Sequence, residues 1–159
     1  MKIQRFVAGA IAALFTVAVA LVSAPAASAW PSTGGWGTAQ KLYDGAGTLV
    51  QTWTVKDLKK SSDPISYPQQ VGDLWEANVT VDADQGNIQP IIPFFNARST
   101  SGANYREIWW VPTAQGVNPG VIPSGGQTVG KLYFDVYGDA PSSVVYDNGV
   151  QPLLVWAGA

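Results

Sequence analysis

An all-β fold, an antiparallel immunoglobulin-like β-sandwich preceded by a cleavable signal peptide, is what this sequence predicts, and three observations carry the expectation. Several short segments place apolar residues at every second position, as a strand with one dry face must. Proline and glycine, 11 and 17 of 159 residues, interrupt the chain too often for long helices. After Trp30 no segment repeats its apolar residues at helical spacing.

The first segment is read separately. Lys2 and Arg5 give a positive start, Phe6 to Val22 carry no charge, and Ala27-Ser28-Ala29 supplies the small residues a signal peptidase reads. Residues 1–29 are therefore expected to be a signal peptide cut between Ala29 and Trp30. The apolar run is short for a bilayer span, and no basic stop-transfer cluster follows it. The processed chain is expected to be secreted into the extracellular medium as a monomer with no membrane span. Residues 30–40, rich in glycine, are expected to form a loose N-terminal arm, and residues 41–159 a single sandwich domain.

Within that domain each element has its own signal. Leu49, Trp53 and Val55 alternate with Thr52 and Thr54. Trp75, Ala77, Val79 and Val81 face one way, and Glu76, Asn78 and Thr80 the other. Ile88 to Phe95 contains Pro90 and Pro93, which predicts an edge or irregular strand. Tyr105 to Val111 is aromatic and ends at Pro112, so a strand is expected there too. Leu132, Phe134 and Val136 alternate with Lys131, Tyr133 and Asp135. Ser143 to Tyr146 and Val150 to Trp156 flank Asp147-Asn148-Gly149, where Asn-Gly predicts a hairpin turn. A closed barrel fits the same strand count, since counting does not separate the two.

Composition removes many activities. The processed chain of 130 residues has seven basic and eleven acidic side chains, a net charge of −4, which argues against nucleic-acid binding. The whole chain has no cysteine and no histidine. That rules out Ser-His-Asp and Cys-His nucleophiles and the common zinc, copper and haem ligand sets. It also leaves stability to burial alone, for which seven tryptophans are suited.

The remaining candidates are weak. A Ser-Lys pair from Ser61 or Ser62 with Lys59 or Lys60 would sit in a polar turn, where the lysine stays protonated. Asp82-Ala83-Asp84-Gln85-Gly86-Asn87 opens like a calcium loop, then places glycine one position early and Pro93 where the bidentate glutamate belongs. A hairpin turn with Gly86 at positive φ is the expected reading. Glu76, Glu107 and Asp135 could in principle supply the two carboxyl groups of a glycosidase, but nothing in the sequence marks a cleft. Glu107 is expected instead to pair with Arg98 or Arg106 at the surface. Trp109 and Trp110 are consecutive, so on a strand they would point to opposite faces. One would enter the core; the other would form a surface contact or be covered by the arm with Trp30 and Trp36. Unequal stability losses on mutating the two are the corresponding expectation.

Five stretches then carry a resemblance: WTVKDLKKSS (Trp53 to Ser62), VGDLWEANVTV (Val71 to Val81), FNARSTSGANYR (Phe95 to Arg106), GKLYFDVYG (Gly130 to Gly138) and NGVQPLLVW (Asn148 to Trp156). In this order and spacing the chain resembles the small secreted immunogenic proteins of mycobacteria, the mycobacterial immunoprotective extracellular protein family. The resemblance implies an immunoglobulin-like sandwich, extracellular and seen by host immunity, with no established enzyme activity, cofactor or ligand residues. WPSTGGWG (Trp30 to Gly37) departs from the family pattern. The functional expectation is a non-catalytic module that binds a protein or cell-surface ligand. The alternatives are a carbohydrate-binding or carbohydrate-cleaving module using Trp109 or Trp110, and a passive antigen.

Overall fold

The computed structural model describes residues 31–158, so the expected signal peptide, its expected cleavage point at Ala29 and the side chain of Trp30 lie outside the described residues. Nine strands follow one another: β1 (Ser32–Gly35), β2 (Ala39–Tyr43), β3 (Leu49–Lys60), β4 (Asp73–Ala83), β5 (Phe95–Arg98), β6 (Asn104–Arg106), β7 (Gln127–Val136), β8 (Ser143–Asp147) and β9 (Pro152–Ala157). A single 3₁₀ turn (Ile92–Phe94) precedes β5. They form two sheets, ordered β1-β9-β8-β5-β6 and β2-β3-β4-β7, which pack as a sandwich. No helix among the described residues is long and apolar enough to cross a membrane.

The alternation read from the sequence sets the inner faces. Trp53 and Val55 of β3, Ala77, Val79 and Val81 of β4, and Leu132, Phe134 and Val136 of β7 are all buried. They meet Phe95, Ala97, Val144, Tyr146, Leu154 and Trp156 from the other sheet. The Trp53 ring lies 5.0 Å from Phe95 and 5.4 Å from Tyr146. Burying an indole leaves its N–H in need of an acceptor; Trp53 donates to Gln51 Oε1 at 2.9 Å and Trp156 to the Thr38 carbonyl at 2.8 Å. Trp75, expected in the core, is only half-buried at its margin.

The glycine-rich arm is corrected by the structure. Ser32–Gly35 pairs with β9, Ser32 opposite Leu154 and Gly35 opposite Ala157, and does so in parallel, the one exception to antiparallel pairing among the ladders. Glycine content suggested looseness because it carries no information about anchoring from elsewhere. Here Trp36 packs on the main core, and Gln40 Nε2 donates to the Val155 carbonyl at 2.7 Å. Two other expectations hold. Gly149 takes φ of 85° in the turn joining β8 to β9, and Asn148 Oδ1 accepts from the Val150 and Gln151 amides. Residues 88–91 are irregular, tied down by an isolated bridge between Ile88 and Ile122, and run into the 3₁₀ turn rather than a regular strand.

Candidate functional site

The site lies where the chain leaves one sheet and crosses to the edge of the other. Past β6, the Glu107 amide donates to the Phe95 carbonyl of β5 at 3.1 Å, while the next amide, Ile108, donates to the Tyr133 carbonyl of β7 at 3.0 Å. Further on, Val117 donates to the Lys131 carbonyl at 3.0 Å and Lys131 donates to the Gln115 carbonyl at 2.8 Å. Residues 107–117 thus form a strap along β7, whose outer edge would otherwise offer unpaired amides and carbonyls. Gly130 permits the approach: a Cβ there would stand 2.4 Å from Val117 Cα.

Between strap and sheet is a second, smaller apolar cluster of Leu74, Ile108 and Tyr133, with Ile65, Tyr67 and Val111 packed on it. The outer face of this sheet, expected to be wet, is therefore dry at one end. Glu76 is buried as a result, and it is held by ions and hydroxyls. Lys131 Nζ lies 2.8 Å from Asp63 Oδ2 and 3.0 Å from Glu76 Oε2. Ser61 donates to Glu76 Oε2 at 2.6 Å, and Tyr133 donates to Asp63. A bulge in β3 shifts the register between Lys56 and Lys59, with Asp57 at φ of 60°, and this brings Lys59 opposite Glu76.

These contacts shift the ionisation of the groups that make them. The Lys131 hydrogen bond, followed by that of Tyr133, holds the Asp63 carboxyl below its ordinary 3.8. The hydrogen bonds to Asp63 and then Glu76 push Lys131 upward, so it keeps its proton and is unsuited to act as a base. Burial first, and Asp63 second, raise the Tyr133 hydroxyl.

Beside this network opens a pocket of about 870 Å³, walled by Ile91, Ile92, Trp109, Val111 and Val117 together with several prolines. Its polar groups are Glu107, Lys131 and Tyr133 at the buried side, and Gln89, Thr113 and Asn118 along the walls. Glu107 does not pair with Arg98 or Arg106 as expected. Arg98 is engaged by Asp147 at 2.6 Å, and Glu107 is 95% removed from solvent, at 5% exposure. Its Oε2 has no hydrogen-bond partner among the described residues. Burial raises its pKa to about 8, against the lowering effect of the Tyr133 and Trp109 backbones. At neutral pH this side chain is mostly a carboxylic acid.

The expectation for Trp109 and Trp110 is also corrected. They do not lie on a strand; β6 ends at Arg106. The Val111 amide donates back to the Ile108 carbonyl at 3.0 Å, which puts the two tryptophans at the corners of a turn. Both point outward, 59% and 48% exposed, and neither enters the core. Their rings stand at 90°, 6.1 Å apart, and Trp110 also meets Tyr67 edge-on at 6.5 Å. Trp36 packs on the main core instead of covering them.

The other candidates have structural partners. Asp135 accepts from the Val71 and Gly72 amides at 2.9 and 2.7 Å, so Glu76, Glu107 and Asp135 each have a separate setting. Asp82 accepts from Gln127 and Asp84 from Thr52, while Gly86 takes φ of 74° in a turn that leads out of β4 toward the Ile88 bridge rather than into a hairpin. Sequence reasoning missed the strap and the pocket. One signal was present: residues 107–126 link two strands without a regular element, and ordered connections of that length are uncommon in compact domains.

A family model described as a domain of unknown function (DUF1942) matches residues 31–156. Immunogenic protein MPT63 of Mycobacterium tuberculosis and immunogenic protein MPB63 of Mycobacterium bovis are each 38% identical to this chain over 157 residues, spanning 98% of it and 99% of their own length. The crystal structure of MPT63, a secreted protein from Mycobacterium tuberculosis, matches with a TM-score of 0.77 at 40% identity, covering 82% of this chain and 99% of that one. The relatives are named as antigens rather than as enzymes. The sandwich, the extracellular location and the resemblance carried by the five stretches are all upheld. The chain belongs to the DUF1942 family, alongside the mycobacterial immunogenic proteins MPT63 and MPB63.

Proposed function

We propose that this chain is a non-catalytic extracellular binding module, and that its protein or cell-surface ligand is engaged through the flank pocket and its tryptophan rim. The supporting observation is the pocket itself: about 870 Å³, largely apolar, with a few converging polar groups and an exposed indole at its mouth. Ligand sites typically have this size and make-up. The chemistry around it is poor in catalysts. Lys131 is held protonated, Ser61 is spent on Glu76, and the chain has no imidazole or thiol. Perpendicular rings at Trp109 and Trp110 do not form one flat platform for a sugar, which favours a cleft over the carbohydrate alternative.

The test is a titration of the processed protein with the uncharged probe phenylpropanol, followed through its indole N–H signals by nuclear magnetic resonance. Saturable shifts concentrated on Trp109 support the reading. Shifts absent at millimolar probe, or spread evenly over every indole, would overturn it.

A further inference from the structure

Resting on the pocket reading above, we propose that the group bound there is a small apolar amine, whose ammonium pairs with the Glu107 carboxylate while its hydrocarbon body lies against Ile91, Val111 and Trp109. The geometry carries this. Glu107 lines the pocket, is 5% exposed, and has one oxygen with no partner among the described residues. A buried polar atom without a partner is rare in native proteins and calls for a ligand or a water.

Charge complementarity selects the partner. The other charged groups at this face are Lys131 and Asp135 on β7, Glu76 on β4, and Asp63 and Lys59 nearby; Asp135 is already held by the Val71 and Gly72 amides. Lys131 is already claimed by two carboxylates, at 2.8 and 3.0 Å, and Lys59 stands 3.8 Å from Glu76 with its side chain 60% exposed. Neither is free to neutralise Glu107. An incoming anion would meet a lysine already counterbalanced twice, beside an acid that resists a second negative charge. An incoming ammonium would meet an acceptor it can satisfy in a poorly solvated site, where a charge-assisted hydrogen bond is strong. The net charge of −4 on the processed chain draws cations toward it as well.

Binding has a proton signature. The amine arrives protonated, the carboxylic acid gives its proton to solvent, and the ammonium donates to the carboxylate so formed. Because Glu107 titrates at about 8, the released proton approaches one per ligand near neutral pH.

The experiment is calorimetry of the processed protein with phenylpropylamine, phenylpropanol and phenylpropionate near pH 7, each in two buffers of different ionisation enthalpy. The expected result is an amine at least about tenfold tighter than the alcohol, with release of close to one proton. In Glu107→Gln both the preference and the proton release disappear. Equal affinity for amine and alcohol without proton release would overturn the inference and leave the pocket reading standing. Tighter binding of phenylpropionate would overturn it in favour of Lys131 as the counter-charge. Failure of all three probes to bind would overturn both readings. The proton count is read on the unmutated protein, so the test survives if the variant folds poorly.

Discussion

Glu107→Gln isolates the most unusual group in this molecule. The sign follows from its raised pKa. Below its ordinary value of 4.5 the side chain is protonated in both folded and unfolded chains and has no effect on the pH dependence. Between 4.5 and about 8 the unfolded chain ionises while the folded chain holds its proton, so stability falls as pH rises; above that interval the loss is complete. Each pH unit is worth about 1.4 kcal/mol, and the whole interval therefore amounts to about 5 kcal/mol. Relaxation and water entering the pocket reduce this, so about 2–5 kcal/mol is expected. Glutamine has the same shape and cannot ionise. Urea unfolding of both proteins between about pH 4 and pH 9 should give similar stability at the acid end and a growing advantage for the variant toward the alkaline end. Other titrating groups cancel in the difference. A constant difference across that range would refute the burial of Glu107 without a neutralising cation.

Other substitutions test the surrounding structure. Trp109→Ala and Trp110→Ala should each change stability by less than about 1 kcal/mol, because neither ring enters the core, whereas Trp53→Ala should cost about 3–5 kcal/mol in the same chemical unfolding assay. Gly130→Ala should dislodge the strap, since the new methyl would meet Val117 Cα; a lowered Tm together with faster hydrogen exchange at the Val117 and Lys131 amides would show it. Lys131→Met should destabilise by about 2–3 kcal/mol by leaving Asp63 without its cation and Glu76 with only the more distant, exposed Lys59, a figure reduced for partial exposure. Asp63 contributes stability that is present above its unfolded value near 3.8 and is lost as pH falls through its lower folded value. Asp63→Asn should therefore flatten the acid limb of the stability profile measured by thermal melting.

The sandwich was legible because its core obeys a local rule. Val79 and Val81, or Leu132 and Phe134, announce their common face by spacing alone, and Asn148-Gly149 announces its turn by backbone chemistry. What escaped depends on contacts between distant segments. Glu107 begins the strap that folds onto β7 and shares its pocket with residues 89–93, and none of these neighbours is marked in its own stretch of sequence. Tyr133 shows the same point: its alternation placed it outside correctly, yet a second layer lies over it. Trp109 and Trp110 misled because aromatic residues favour strands, while the turn closed by Ile108 and Val111 overrode that preference. Ser32–Gly35 misled in the opposite direction, since four small residues found order on a neighbour supplied by the far end of the chain.

That last pairing has a practical consequence. β1 and β9 sit side by side at one margin of their sheet, and β6, which leads into the strap, is at the other. A tag, fusion or surface tether attached beside β1 or after β9 would project from the margin remote from the pocket. Protein immobilised in that way keeps the pocket mouth turned toward solution and available for capture measurements.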